Sequence, residues 1–279
     1  MDILLTAAVL PVIGLCYFVY KKDNNKEPVD LLLKLLGYGA LSTIPAIIGE
    51  LLLGDIANAE KITNFLMVFI KTFIGVALVE EGFKWYFVKK HGYDNSEFDE
   101  IYDIIVYSVF VSLGFALIEN IGYVLLNGLG VAILRALLSV PGHACFAVLM
   151  GYYLSKAKIA SINNNEKLKN QNICFSLLIP MLFHAMYDAL LQWYVNTNIG
   201  MIVLIFLLFD IVMVVVGFII VNKMSKVQQN LSTNLKEGTL AGNQGRIELV
   251  SEKPINFCPL CGNNVSMGSY CSKCGLKIR

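Results

Sequence analysis

Long apolar runs alternate with short polar segments along most of the chain, and these runs determine the predicted architecture. A helix needs about 20 consecutive apolar residues to cross the hydrocarbon core of a bilayer. Seven runs are long enough, and they lie at residues 3–20, 31–53, 65–88, 104–126, 131–157, 173–194 and 201–222. The pattern therefore predicts an all-α polytopic membrane protein with about seven transmembrane helices.

The connecting segments alternate in basic charge. Segments 21–30, 89–103 and 158–172 each carry at least two lysines, as does the tail, whereas the segments between them carry one or none. Lysine and arginine concentrate in cytoplasmic loops. We therefore expect a multi-pass protein of the cell membrane, with its N-terminus outside and its C-terminus in the cytoplasm.

Composition supports a membrane location. The chain has 279 residues, of which 56% are hydrophobic and 15% are charged, whereas a soluble domain has about 25% charged residues. The formal net charge is only +1, so we expect the lipid bilayer, and not nucleic acid, as a partner. The N-terminus, Met1-Asp2-Ile3, lacks the basic region of a signal peptide, so we expect the first run to be a retained span.

A polar stretch separates the apolar region from a cysteine-rich end. We predict a transmembrane domain over residues 1–222, a flexible linker over 223–253 with a short helix at its start, and a small zinc ribbon over 254–279. The ribbon is predicted from two CxxCG motifs that contain Cys258, Cys261, Cys271 and Cys274.

Four thiolates at this spacing form a closed tetrahedral zinc site, and so small a module needs its metal to fold. Disulfide bonds are the alternative, but the predicted cytoplasmic location is reducing. We therefore expect a structural, non-catalytic zinc ion in a module that contacts a protein partner.

The third predicted span carries charged residues at membrane depth, namely Glu80, Glu81 and Lys84. Each charge there costs about 2.5–3.5 kcal/mol on insertion scales, so such residues usually have a function. Glu80 and Lys84 are four residues apart and can pair on one helix face, while Glu81 points about 100° away. The alternative is a buried ion pair that only holds helices together.

The fourth predicted span contains Glu119 and Asn120. Both residues can serve a site or simply hydrogen-bond a neighbouring helix, and Gly114 in the same span permits close helix packing. From the predicted span ends, Glu81 and Glu119 would lie about 10 Å apart along the membrane normal. We therefore expect helix tilt if both belong to one centre.

Histidines occupy the next two predicted spans. His143 follows Pro141-Gly142, which can kink a helix and open a cavity. His184 and Asp188 are four residues apart, so the carboxylate can orient the imidazole or share a metal with it. A satisfied core histidine is the alternative for each.

The combined set is suited to hydrolysis. Two imidazoles and several carboxylates can bind zinc with an open position for water, and a glutamate can act as general base. A mechanism without metal is equally available, in which a buried glutamate activates water and histidine stabilises the oxyanion.

In order, these motifs resemble those of the PrsW family of intramembrane proteases, distant relatives of the type II CAAX prenyl endopeptidases. The motifs are Glu80-Glu81-x-x-Lys84, Phe115-x-x-x-Glu119-Asn120, His143 with Gly151, and His184-x-x-x-Asp188. The resemblance covers about residues 65–195, and leaves out the seventh span and the cysteine module.

The resemblance implies a helical membrane endopeptidase that cuts membrane-embedded or single-span proteins, such as anti-sigma factors, in regulated proteolysis. The implied functional residues are Glu80, Glu81, Glu119, His143 and His184, with Lys84, Asn120 and Asp188 in support. The family's classification as metallopeptidase implies a catalytic zinc at His143 and His184, while the motifs also permit a glutamate mechanism. Asp188 stands where related enzymes often have Asn, so its role as orienting residue or ligand stays open.

Two other functions use similar residues. Acids and histidines at mid-membrane also form proton relays, so a proton- or ion-coupled transporter is one alternative. However, the chain shows no paired half-repeats with interrupted helices. A non-catalytic scaffold that recruits a partner through the ribbon is the other. Neither alternative accounts for the acids, the histidines and the order of the motifs together.

Overall fold

The computed structural model describes residues 2–54, 58–236, 240–243 and 246–249, and this part of the chain is almost entirely helical. The helices are α1 (Asp2–Lys22), α2 (Val29–Leu52), α3 (Phe65–Thr72), α4 (Leu78–Val88), α5 (Asp103–Asn127), α6 (Leu129–Leu134), α7 (Val140–Ile162), α8 (Glu166–Thr197) and α9 (Gly200–Lys236). The strands are β1 (Leu240–Asn243) and β2 (Arg246–Leu249), which pair antiparallel. The predicted zinc ribbon lies outside the described residues.

Three π-helical turns join or extend these helices. Phe73–Ala77 joins α3 to α4, Lys89–Tyr93 follows α4, and Arg135–Ser139 joins α6 to α7. A π turn accommodates one extra residue in a helix without ending it, and such turns are common near functional sites. Pro141 lies in the first turn of α7, directly after the π turn Arg135–Ser139, so this proline stands where the helix is already irregular.

Six helical segments of the described chain are long and apolar enough to cross a membrane. They are Ile3–Lys22, Val29–Leu52, Asp103–Asn127, Leu129–Ile162, Glu166–Thr197 and Gly200–Asn230, and they correspond to six of the seven predicted spans. The predicted third span, 65–88, is helical as well, but its π turn divides it into α3 and α4, which are each shorter than a span.

The last helix is longer than the span predicted within it. α9 has 37 residues, which corresponds to about 55 Å, while a bilayer core is about 30 Å thick. It therefore continues well into the segment predicted as a linker, where a short helix was expected. The division into a transmembrane domain, a linker and a ribbon stays a prediction.

α5 is the central helix of the bundle. Its apolar window is 78% buried, compared with 22–50% for the other five spanning segments. Glycines allow its neighbours to approach closely: a Cβ at Gly114 would overlap the backbone of Leu36 in α2, and one at Gly39 would overlap the backbone of Val111 in α5. On another side, a Cβ at Gly151 of α7 would lie 2.6 Å from the Ile105 Cα. These contacts bring α2, α5 and α7 together around the candidate site.

Candidate active site

The charged residues of α4 point into the protein and not into lipid. Glu80 is 5% exposed, and Glu81 and Lys84 are 0% exposed. The π turn Phe73–Ala77 lies directly before this helix, and a turn of that kind changes which face the following residues present. Three ionisable side chains are therefore enclosed within the helix bundle.

Lys84 connects both acids to the neighbouring helices. Its Nζ lies 2.9 Å from Glu80 Oε2 and 2.9 Å from Glu81 Oε1, which confirms that Glu80 and Lys84 pair across one helical turn. The same ammonium lies 3.3 Å from His143 Nδ1. It also lies 4.0 Å from the ring centroid of Phe115, at cation–π distance. One cation thus has partners in α4, α5 and α7.

The His184 ring is held between carboxylates. Its Nδ1 lies 2.9 Å from Glu81 Oε1, and its Nε2 lies 3.3 Å from Asp188 Oδ2. Glu80 Oε2 is 3.9 Å from the same Nε2. Phe146 stacks on the imidazole with the ring centroids 5.0 Å apart. The expected contact between His184 and Asp188 is therefore present, and Glu81 holds the other nitrogen.

His143 lies between a cation and an acid. Its Nε2 is 2.9 Å from Glu119 Oε2, while Lys84 faces its Nδ1. An ammonium group can only donate, so Nδ1 accepts and Nε2 donates its proton to Glu119. The two histidine rings are 5.6 Å apart and nearly perpendicular. Both imidazoles therefore belong to one hydrogen-bonded network.

Glu119 has a second partner, Arg135, which the sequence analysis left without a role. Arg135 Nη2 lies 3.4 Å from Glu119 Oε2, and Arg135 Nε donates to Asn120 Oδ1 at 3.0 Å. Asn120 in turn donates from Nδ2 to the Ala8 carbonyl at 2.7 Å. Both ends of the Asn120 amide are therefore bonded, one to α1 and one to Arg135, and its predicted supporting role stays a prediction.

Two groups of possible metal ligands overlap at Glu80. One is Glu80, Glu81 and His184, the other is Glu80, Glu119 and His143, and in each group the ligand atoms lie within 4.8 Å of one another. Glu81 of the third predicted span and Glu119 of the fourth were expected to lie at different depths in the membrane. Glu80 nevertheless belongs to both groups, so the two groups are not separated. The shared carboxylate makes them two sides of a single centre.

Glu50 of α2 is another acid near this centre, and the sequence analysis missed it. Its charge interacts with the charges of Glu80, Glu119, Lys84 and Asp188. A glutamate in the apolar run predicted as the second span was the available signal. The remaining histidine, His91, lies in the π turn after α4 and not in a loop. Its ring stacks on that of Tyr38, with the two ring centroids 3.9 Å apart.

Negative charge is in excess among the described residues of the centre. Four carboxylates, those of Glu80, Glu81, Glu119 and Asp188, contact two permanent cations, Lys84 and Arg135, and the two histidines. Glu81 Oε2 is also buried without a hydrogen-bond partner. Uncompensated buried charge is costly, and a divalent cation would reduce it. The donor set therefore fits a metal ion.

His184 is better prepared than His143 to bind such an ion. Glu81 holds the Nδ1 side of the His184 ring, so that Nε2 points towards Glu80 and Asp188. A metal ion bound there would take the place of the Nε2 proton, as is usual for a metal-binding histidine. At His143 the Nδ1 faces a donor, so Nε2 carries the proton. Each histidine belongs to a group of possible metal ligands, so the predicted zinc pair of His143 and His184 stays a prediction.

Comparison with known proteins shows the family of the chain. The family described as PrsW family intramembrane metalloprotease matches residues 27–221. A Protease PrsW of Oceanobacillus iheyensis is 37% identical over 189 residues, covering 68% of this chain and 83% of that protein. The Protease PrsW of Geobacillus kaustophilus is 41% identical, and the match covers 67% of this chain and 79% of that protein. The Protease PrsW of Bacillus subtilis is 35% identical, and the match covers 67% of this chain and 82% of that protein.

The family match is longer than the motifs indicated. It extends beyond residues 65–195 to include α2, with Glu50, and the membrane part of α9, which the motif resemblance had left out. The cysteine module lies beyond its end. No solved structure matches the chain.

Proposed function

The chain belongs to the PrsW family of intramembrane metalloproteases, and we propose that the centre around Glu80 hydrolyses peptide bonds of its membrane protein substrates. The observation that carries this assignment is the single buried network that joins Glu80, Glu81, Glu119, His143 and His184. Family membership favours the protease over the transporter and scaffold alternatives. It also agrees with a multi-pass membrane protein, for which we propose the N-terminus outside and the C-terminus in the cytoplasm.

Glu80 is the best-placed general base of this network. It belongs to both groups of possible ligands and faces the two histidines. A carboxylate in that position can take a proton from the attacking water and return it to the leaving amine. Glu81 is fully buried, and its Oε1 is shared by Lys84 and His184. We therefore assign Glu81 to positioning His184.

Glu119, His143 and Arg135 form the opposite side of the centre. His143 donates its Nε2 proton towards Glu119, and Arg135 lies against the same carboxylate oxygen. The Glu119 side chain is 22% exposed, which makes it more accessible than the α4 acids. In this position it can meet the substrate backbone, and Asn120 supports it through Arg135.

Zinc is the proposed metal, because imidazole and carboxylate ligands suit it. His184 Nε2 and Asp188 would hold it next to Glu80, which stays free to act as the base, while Glu81 orients the histidine from behind. Bound there, zinc would supply Lewis acidity towards the scissile carbonyl and the attacking water. In the absence of metal, the same Glu80 remains next to His143 and His184 and can still act as a base.

The proposed substrates are single-span or membrane-embedded proteins, including proteins like anti-sigma factors, whose cleavage regulates other processes. The test is to co-express the full chain with a panel of tagged single-span anti-sigma factors and follow the fragments by immunoblotting. We expect cleavage of at least one substrate, and no cleavage by Glu80→Gln or His143→Ala chains that reach the membrane in equal amounts. Cleavage by both variants at the rate of the unchanged protein would refute the assignment.

A further inference from the structure

A second acidic cluster lies far from the candidate active site along α5. Asp23 and Glu27 lie between α1 and α2, while Glu100 and Asp103 lie at the start of α5. Asp23, Glu100 and Asp103 bring carboxylate oxygens within 4.8 Å of one another. Asp23 is 3% exposed, Glu27 is 5% exposed and Asp103 is fully buried. Acids this close and this buried need a compensating partner.

The protein supplies only part of that compensation. Asp103 Oδ2 accepts the Glu100 backbone N–H at 2.6 Å, but Asp103 Oδ1 is buried without a hydrogen-bond partner. Both carboxylate oxygens of Asp23 are likewise buried without a hydrogen-bond partner. Glu27 Oε2 accepts the Tyr107 hydroxyl at 2.5 Å. Two buried acids from different segments therefore have unused carboxylate oxygens in the same cluster.

The nearby lysines bind backbone carbonyls instead of these acids. Lys26 Nζ donates to the Tyr20 carbonyl at 2.7 Å and to the Lys21 carbonyl at 3.2 Å, at the end of α1. Lys158 Nζ donates to the Phe98 carbonyl at 3.2 Å. Neither forms a salt bridge with Asp23 or Asp103 among the described residues. The charges of Lys26 and Lys158 therefore offset only part of the negative charge of the cluster.

The pKa of Glu27 is shifted by the same buried, acidic surroundings. Burial raises the pKa of Glu27 to about 7; the hydrogen bond from Tyr107 opposes this shift, and the charge of Asp23 adds to it. Carboxylates in such a place either retain protons or share a bound cation. The unpartnered oxygens of Asp23 and Asp103 favour the cation.

We propose that Asp23, Glu27, Glu100 and Asp103 bind a hard divalent cation, Ca²⁺ or Mg²⁺. The donors are all oxygens and include no histidine or cysteine, which favours these ions over zinc. The ion joins the α1–α2 connection to the start of α5. Glu119 lies in the same helix, about 24 Å from Asp103 along the helix axis. The site is thus separate from the proteolytic centre, and the inference is independent of the proposed mechanism.

Terbium luminescence tests the proposal on the full-length protein in detergent. Tb³⁺ prefers oxygen ligands as Ca²⁺ does, and tyrosine excites it over short distances, so Tyr107 beside Glu27 is a built-in reporter. We expect saturable luminescence that Ca²⁺ or Mg²⁺ displaces, and which of the two displaces it at lower concentration identifies the preferred ion. Asp103→Asn and Asp23→Asn should each weaken Tb³⁺ binding by at least about tenfold.

Two controls make the result specific. Glu97→Gln removes the same charge from an exposed position in the adjacent loop and should leave Tb³⁺ binding unchanged. Glu80→Gln should also leave it unchanged, which separates this site from the proteolytic centre. Ca²⁺ or Mg²⁺ should raise the melting temperature of the unchanged protein but not that of Asp103→Asn.

The opposite pattern would overturn the proposal. If neither Tb³⁺ nor Ca²⁺ nor Mg²⁺ binds, and Asp103→Asn melts at a higher temperature than the unchanged protein, the cluster holds protons and not a cation. Equal Tb³⁺ binding by the unchanged protein, Asp103→Asn and Asp23→Asn would also contradict it. Because each of the two asparagine variants tests the site separately, misfolding of one leaves the other as a test.

Discussion

Lys84 and His143, on helices α4 and α7, face each other with Nζ 3.3 Å from Nδ1. Because an ammonium group only donates, this contact determines which imidazole nitrogen carries the proton. The proton lies on Nε2 and points at Glu119, 2.9 Å away. A lysine that also pairs with Glu80 and Glu81 thereby couples the acids of α4 to the acid of α5.

Lys84→Met should destabilise the whole bundle. It would leave two buried acids without their shared cation, and breaking a buried pair in this way costs about 3–5 kcal/mol. We expect a clear fall in the melting temperature of the purified protein in detergent. Lys34→Met is the matched control, since the Lys34–Asp30 pair is also four residues apart but exposed. An equal effect of both substitutions would contradict the central role of Lys84.

Glu80→Gln should abolish turnover without preventing folding. The amide keeps the shape of the carboxylate but cannot accept a proton, and loss of a general base lowers kcat by about 10²–10⁴-fold. The measurement is kcat and KM on a cleaved single-span substrate in proteoliposomes. Glu97→Gln, in the exposed loop before α5, provides a control for charge. A normal kcat for Glu80→Gln would transfer the role of base to another acid.

Zinc content should separate the two predicted metal sites. We expect about two zinc ions per full-length chain, and about one after Cys258, Cys261, Cys271 and Cys274 are changed to Ser. In that four-serine background, His184→Ala should remove the remaining zinc, because Glu81 orients Nε2 of His184 towards Glu80 and Asp188. His143→Ala should retain more of it. Complete loss in His143→Ala with retention in His184→Ala would reverse the assignment of the ligand.

Arg135 and Asn120 should act as one unit. Arg135 bonds both Glu119 and Asn120, and Asn120 in turn bonds α1. We expect Arg135→Ala and Asn120→Ala to lower kcat/KM by overlapping amounts, with an interaction energy of about 0.5–3 kcal/mol in a double-mutant cycle. Purely additive effects on kcat/KM would show that Asn120 acts independently of Arg135.

Gly114→Ala should loosen the contact between α2 and α5. The new Cβ would overlap the Leu36 backbone, and overpacking of a tight core costs about 1–3 kcal/mol. Gly122→Ala is the control in the same helix, because no atom lies within 4 Å of its added Cβ. There alanine should be neutral or stabilising, as expected from its helix propensity. Melting temperatures in detergent distinguish the two, and a similar loss in both would contradict close packing at Gly114.

Local spacing made several features predictable. Apolar run length identified the six long membrane helices and the helical character of 65–88. Helical periodicity placed Glu80 beside Lys84 and His184 beside Asp188, because residues four apart in a helix are neighbours whatever surrounds them. The order of the motifs indicated the family that the comparisons then established. The π turn that divides 65–88 has no comparable signature.

Contacts between helices were decided only by the tertiary structure. The sequence placed Glu81 and Asn120 among the implied site residues without showing their partners, which are His184 for Glu81 and Arg135 for Asn120. Arg135 and Glu50 lacked a predicted role because their partners lie on other helices. Spacing determines which residues share a face, whereas the rotation and separation of packed helices determine what that face meets. At this site those quantities depend on backbone approach at Gly39 and Gly114, which no pattern within one helix encodes.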